Sequence, residues 1–316
     1  MTNQNLTIWT NVNYHAAALE LLREGLSTHR LIWAEGGSNS SGLEAADVAF
    51  GQPDAEAVQQ SPKVRWVHLD SAGYERFDPL KGVLGERGVR LSNSSSVYDE
   101  PCAQHALALL LSLARRLPGA LDAQRGDHSW PMMGLRAESY LLTGQTVLLL
   151  GYGAIARRLV ELLAPFGMTV IAVRRTPAGD EPVKVIAEAE LNDYLGRADH
   201  VVSILPGNAS TRRYVNAERL AAMKPGATFY NIGRGTTVDQ EALLAALQAG
   251  HLAAAALDVT DPEPLPPSHP LWTAPNCYLT PHTAGGHIGE KERLVRHFLD
   301  NLTRLLSGDE LADRIV

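Results

Sequence analysis

An apolar run of strand length, TVLLL, leads directly into Gly151-Tyr152-Gly153-Ala154-Ile155-Ala156 and then into RRLVELLAPFG, a helical pattern. No other stretch of the chain restricts its fold so strongly. Gly151 permits a tight turn, Gly153 lets the backbone approach a pyrophosphate, and the small Ala156 lets the helix pack close to the strand. The first helical turn, which starts at Ala154 and Ile155, offers free N–H groups to an anion. The same string could form a plain tight turn in any α/β protein, and it is the strand before and the helix after that favour a dinucleotide site.

The surrounding sequence fits such a layer. TVIAV, HVVSIL, ATFYNI, LAAAALDV and CYLT are further apolar runs, mostly separated by helical patterns, as in a parallel sheet buried on both faces. Earlier, LTIW, HRLIWA, ADVAF and VRWVHL alternate with amphipathic stretches and predict a second α/β layer. Between the two, DEPCAQHALALLLSLARRLPG predicts one long helix with Pro101 in its first turn and Pro118-Gly119 just past its end, a crossing between domains. Residues 121–140 have no clear periodicity and read as an extended loop or arm that could pack against a second subunit. KERLVRHFLDNLTRLLSG predicts one amphipathic helix ending at Gly308.

A length of 316 residues points to two domains. With 28 basic against 35 acidic residues the net charge is −7, so the chain as a whole has no positive field for nucleic acid or an anionic membrane. Any bound anion needs a local site. Cys102 and Cys277 are too few for a disulfide scaffold or a zinc ribbon, and a reducing cytoplasm fits them. The eleven histidines show no HExxH or comparable ligand spacing, so no metal site is expected. No run reaches roughly 18 apolar residues, and the first ten residues lack an export pattern, so neither membrane insertion nor export is expected.

About 20 residues beyond the glycine turn, NAD-binding sheets carry an acidic residue for the ribose 2′-hydroxyl. Arg174 stands there, followed by Arg175 and Thr176. Guanidinium forks and a hydroxyl suit a 2′-phosphate, so NADP is expected to be preferred, with NAD possible. Two solvated arginines at a strand end are the plain alternative. Arg234, Asp258 and His282 follow later strands, and Glu263 lies between the last two, so all are candidates to face the crevice where open parallel sheets bind ligands. A satisfied structural histidine, a solvated arginine and a stiff proline-rich loop would explain the same residues more simply.

LTGQTVLLLGYGAIARRL, LPGNASTRRYVNAERLAAMKPGATFYNIGRGTTVDQEALLAAL, LDVTDPEPLPPSHPLW and PHTAGG together resemble the D-isomer-specific 2-hydroxyacid dehydrogenase family. The motif-rich stretch spans residues 97–286, and SAGYERFD and DNLTRLLSG extend the resemblance to nearly the whole chain. It implies a Rossmann-type nucleotide domain at 99–286 inserted into a flavodoxin-like substrate domain made of 1–98 and 287–316, with the active site in the cleft between them. It further implies Arg234 as the carboxylate-binding arginine, His282 as the acid/base and Glu263 as the residue that orients the imidazole and favours its charged form. By the same resemblance Asp258 positions the nicotinamide carboxamide, Leu205, Pro206, Thr211 and Ile232 line the cofactor, and the Ala72 and Gly73 backbone helps hold the substrate carboxylate.

The implied activity is NADPH-dependent reduction of a small 2-keto acid such as glyoxylate or hydroxypyruvate by a homodimer. Formate is not expected, because formate dehydrogenases of the superfamily carry Gln where Glu263 stands. A dehydrogenase acting with NAD on another substrate, or a dinucleotide-sensing scaffold akin to the superfamily's transcriptional corepressors, remains open. Two departures stand out. Many relatives have Asp at the place of Arg174, and Glu where Gln104 precedes His105.

Overall fold

The computed structural model describes residues 5–34 and 40–316. The chain forms two compact units, one of residues 1–98 with 287–316 and the other of residues 99–286.

Among the described residues the first unit holds a five-stranded parallel sheet of β1 (Thr7–Thr10), β2 (Arg30–Trp33), β3 (Val48–Gly51), β4 (Trp66–Leu69) and β5 (Arg90–Ser92), in the order β2-β1-β3-β4-β5. This is the flavodoxin-like order. Successive side chains point to opposite faces, so the sheet feeds two cores. Ile8, Phe50 and Trp66 meet Leu22 of helix Ala16–Gly25 and Leu294 and Phe298 of helix Glu290–Ser307. Trp9, Ala49, Val67 and Leu69 meet Val58, Phe77 and Leu84 on the other side. Phe298 stacks on Phe50 with ring centroids 4.1 Å apart and on Trp66 at 5.4 Å, so the last helix supplies the centre of one core. That helix ends where Gly308 takes φ +80°, at the predicted position.

The second unit holds β6 (Thr146–Leu150), β7 (Thr169–Arg174), β8 (Lys184–Ala187), β9 (His200–Ser203), β10 (Thr228–Asn231), β11 (Ala254–Leu257) and β12 (Cys277–Leu279). All pair in parallel, in the order β12-β11-β10-β9-β6-β7-β8. Counted within the unit this is the Rossmann order with one extra strand, and it reverses direction between β6 and β9. The glycine turn after β6 therefore sits at the switch point, where such sheets bind ligands.

Three elements differ from the sequence reading. The long helix starts earlier, at Ser95, with Pro101 inside it, and ends at Ala114. Arg116 then takes a left-handed φ of +53°, and a second helix, Leu117–Arg125, carries Pro118 in its first turn, where no backbone donor is lost. The expected loop at 121–140 also contains helix Met132–Glu138. Neither short helix buries a residue, so neither leaves an apolar period in the sequence.

His200 at the start of β9 is 1% exposed, between the Tyr230 hydroxyl and Gln145 Oε1. Burial holds its pKa down to about 4, against a partial counter-effect of Asp199. Between about pH 6.5 and 4 the unfolded chain takes up a proton that the folded chain refuses, so stability falls with pH across this window. From pH 7.5 to 5 this loss amounts to about 2 kcal/mol. Urea melts of His200→Gln at the two pH values are expected to show a pH dependence smaller by that amount than wild type. An unchanged slope would show that His200 is not held neutral.

Candidate active site

Three loops at the carboxyl ends of β10, β11 and β12 assemble the catalytic candidates. After β12 the chain turns at His282, whose φ is +50°, an uncommon left-handed conformation for a residue with a side chain. Its N–H donates to the carbonyls of Asp258 at 2.8 Å and Thr280 at 3.0 Å, which holds the turn. The ring Nδ1 then lies 2.7 Å from Glu263 Oε2, while Glu263 Oε1 accepts the Thr260 N–H at 3.0 Å. A carboxylate can only accept, so Nδ1 carries the proton and Nε2 is the free working nitrogen of the half-exposed ring. Both residues line a cavity of about 550 Å³ with Asp258, Leu265, Trp272 and Leu279 among its walls.

Asp258, just past β11, is 2% exposed. Its Oδ1 accepts the Thr280 hydroxyl at 2.6 Å and the Thr283 N–H at 2.9 Å, and Oδ2 accepts the Ala284 N–H at 3.0 Å. His105 Nε2 lies 3.5 Å from Oδ1 and 3.1 Å from the Thr280 hydroxyl. The structure thus gives Asp258 a task that the sequence did not indicate, which is to hold the turn that carries His282. His105, Thr280 and Thr283 were missed for the same reason, since they act on Asp258 through side-chain and backbone contacts that leave no spacing motif.

Arg234 follows β10. Its carbonyl accepts from Asn231 Nδ2 at 3.0 Å and from the Thr237 hydroxyl at 2.6 Å, and its own Nη1 donates to Gly233 O at 2.8 Å. The next residue has to be glycine, because a Cβ on Gly235 would lie 1.9 Å from the Thr260 carbonyl oxygen. This close approach sets the arginine loop against the backbone that also donates to Glu263. Arg234 does not line the 550 Å³ cavity.

The cofactor candidates gather elsewhere in the same unit. Gly151 takes φ +104°, a conformation that side chains rarely adopt, and the space in front of Gly153 is open, since a Cβ there would meet nothing within 4 Å. Ala154 and Ile155 open the following helix, and Ala156 in its first turn is fully buried. Gly151, Arg174, Arg175, Leu205, Pro206 and Thr211 line one cavity of about 240 Å³. Glu188, Asn208, Ser210 and Tyr214, with Leu150 and Val173 of the strands, complete its wall and were not singled out from the sequence. Thr176 is exposed beyond the strand end and is outside that wall, and Ile232 is buried after β10. An open turn at the switch point, a helix N-terminus and two guanidinium groups form a donor set that fits a dinucleotide.

In the first unit, the Ala72 carbonyl accepts from Asn93 Nδ2 at 2.6 Å and the Gly73 carbonyl from the Ser71 hydroxyl at 2.8 Å, which fixes the loop after β4. Gln104 donates to Glu100 at 2.5 Å, and Glu100 in turn pairs with Arg158 of helix Ala154–Leu163. The departure at Gln104 is thereby accounted for as part of a helix-to-helix contact. Burial pushes the Cys102 thiol up to about 12 and the Cys277 thiol up to about 11, so neither is a nucleophile at neutral pH. Among the described residues no group of three or more His, Cys, Asp or Glu could hold a metal ion, and no helix is long and apolar enough to cross a membrane.

Comparison with known proteins identifies the family. The family model described as D-isomer specific 2-hydroxyacid dehydrogenase, NAD binding domain, matches residues 107–284. A glyoxylate reductase of Aeropyrum pernix is 34% identical over 263 residues, covering 81% of this chain and 77% of the relative. A glyoxylate/hydroxypyruvate reductase B of Erwinia tasmaniensis is 33% identical over 265 residues, covering 82% and 80%. The crystal structure of an NADPH-dependent glyoxylate/hydroxypyruvate reductase from Sinorhizobium meliloti, in complex with NADP and malonate, superposes with a TM-score of 0.79 at 28% identity, covering 99% of this chain and 97% of that one. These relatives favour an enzyme over a sensing scaffold. A family match over more than half the length, and curated relatives a third identical across four-fifths of it, place the chain in the D-isomer-specific 2-hydroxyacid dehydrogenases, which pass a hydride between a nicotinamide dinucleotide and a small 2-keto or 2-hydroxy acid.

Proposed function

We propose that this dehydrogenase reduces a small 2-keto acid of the glyoxylate or hydroxypyruvate type with NADPH, as a cytoplasmic homodimer, with residues 99–286 binding the nucleotide and residues 1–98 with 287–316 serving the substrate. The observation that carries the proposal is the His282–Glu263 pair at 2.7 Å on the wall of a cavity of about 550 Å³. When bound, the reduced nicotinamide supplies the hydride. In the imidazolium form, with Nδ1–H held on Glu263, His282 gives its second proton from Nε2 to the oxygen of the keto group as that oxygen becomes an alkoxide, which leaves the neutral ring. Glu263 keeps the ring turned so that Nε2 does this work. Arg234 holds the substrate carboxylate and stabilises the negative charge growing on oxygen. Asp258 keeps the His282 turn in place and orients the nicotinamide carboxamide, while the Ala72–Gly73 backbone adds donors for the carboxylate. The reductase names of the relatives support the substrate class.

Arg174 and Arg175 on one cavity with Thr211 support NADPH. The wild type is expected to show a higher kcat/KM with NADPH than with NADH. Arg174→Asp is expected to reverse the order, because one lost charge-assisted bond to the 2′-phosphate costs about 2 kcal/mol, a factor of roughly 30. Equal use of both cofactors by the wild type would refute the preference.

The arm supports association. Trp130 is 89% exposed and Met133 72%, with Leu117, Leu121 and Met132 exposed nearby. Several large apolar side chains exposed within one short segment are costly to leave in water. Light scattering at micromolar concentration is expected to give twice the chain mass, and Trp130→Ser with Met133→Ser to shift it toward one. A monomeric wild type would contradict the proposal.

A further inference from the structure

Arg174 is already engaged. Its Nη1 lies 3.3 Å from Oε1 of Glu181, whose side chain keeps only 8% of its surface exposed. The same carboxylate accepts the Ala178 N–H on Oε1 at 2.7 Å and the Gly179 N–H on Oε2 at 2.8 Å. A guanidinium and two successive backbone N–H groups converging on one anion is the kind of donor set that holds a phosphate. Here a carboxylate from the chain itself fills it. The Ala178 N–H, followed by that of Gly179, holds the Glu181 carboxyl below its ordinary range, so the group is anionic at neutral pH.

We propose that Glu181 is a specificity-determining residue of the cofactor site: its carboxylate occupies the guanidinium and amide donors that the 2′-phosphate of NADP would use, so the phosphate binds by displacing it. This rests on the reading of Arg174 as the 2′-phosphate residue. A dianion and a carboxylate cannot share one guanidinium and two N–H groups without strong like-charge repulsion. Part of the gain from binding the phosphate is therefore lost in releasing Glu181. A cofactor without the 2′-phosphate leaves the Arg174–Glu181 pair intact and bears no such loss. The effect is to narrow the margin between NADPH and NADH below what two arginines alone would give.

The test is calorimetric titration of the full chain with adenosine 2′,5′-bisphosphate and with AMP, for wild type, Glu181→Gln, Glu181→Ala, Arg174→Ala and Glu181→Gln with Arg174→Ala. Gln keeps an oxygen for the loop N–H groups but removes the charge. Both Glu181 variants are expected to bind the bisphosphate at least roughly tenfold more tightly than wild type, with AMP affinity unchanged, which also shows that they are folded. Adding Arg174→Ala should abolish the gain. The NADPH-to-NADH ratio of kcat/KM should rise by a similar factor. If Arg174→Ala weakens bisphosphate binding but neither Glu181 variant tightens it, or if they weaken it, Glu181 is not a competitor and the inference fails alone. If Arg174→Ala affects neither ligand, the 2′-phosphate reading of Arg174 fails, and the role of Glu181 fails with it.

Discussion

Replacing His282 by alanine is expected to lower kcat by roughly 10²-fold to 10⁴-fold while the dissociation constant for NADPH stays near the wild-type value. The loss follows from Nε2 being the nitrogen left free by the Nδ1–Glu263 bond. The retained affinity follows from the position of the candidate cofactor groups, since Gly151, Arg174 and Thr211 line a cavity that His282 does not touch. Fluorescence titration of NADPH and steady-state rates with glyoxylate measure the two quantities separately. A variant that keeps kcat within threefold of wild type would assign the proton to another group. Glu263→Gln is expected to fall between these limits, because an amide oxygen can still accept from Nδ1 and keep the ring oriented.

Gly235→Ala is expected to cause the largest structural disturbance of any single methyl addition at the site. The new Cβ would fall 1.9 Å from the Thr260 carbonyl oxygen and 2.0 Å from its carbon, and neither atom is the end of a flexible side chain. Overpacking against a rigid neighbour costs about 3 kcal/mol, which for a chain of this size lowers the melting temperature by roughly 5 °C or more. Activity should suffer beyond the loss of folded protein, since Arg234 immediately precedes the glycine and the Thr260 N–H holds Glu263. Thermal melts together with kcat/KM on the folded fraction test both parts. A wild-type melting temperature would mean that the two backbones do not touch.

The two sheets were legible in the sequence wherever a strand is buried on both faces. TVLLL, HVVSIL and LAAAALDV read as strands because a doubly covered parallel sheet demands continuous apolar residues. β5 and β8 were missed. Both are edge strands with one partner, and RLS and KVIA are short and carry a charge, as edges often do. The Glu263–His282 candidates were visible because each lies in a recognisable string, yet the turn that aims the imidazole depends on Asp258 accepting backbone N–H groups, which no residue pattern records. Glu181 was invisible for a similar reason. It meets Arg174 only because residues 175–181 fold back at the end of β7, and seven residues of loop have no period to read.

The place of Phe298 has a consequence for synthesis on the ribosome. Residues 99–286 are contiguous, so the second unit has all its strands once residue 286 has emerged. The first unit has emitted β1 to β5 long before, but the aromatic ring that stacks on Phe50 and Trp66 arrives only with helix Glu290–Ser307, after the whole second unit. Until then Ile8, Phe50 and Trp66 have that face of their sheet covered only in part, by Ala18 and Leu22 of helix Ala16–Gly25. The nascent chain can therefore complete its second unit before its first, and while the 188 residues between the two halves of one core are made, the unfinished core is open to chaperones and to aggregation.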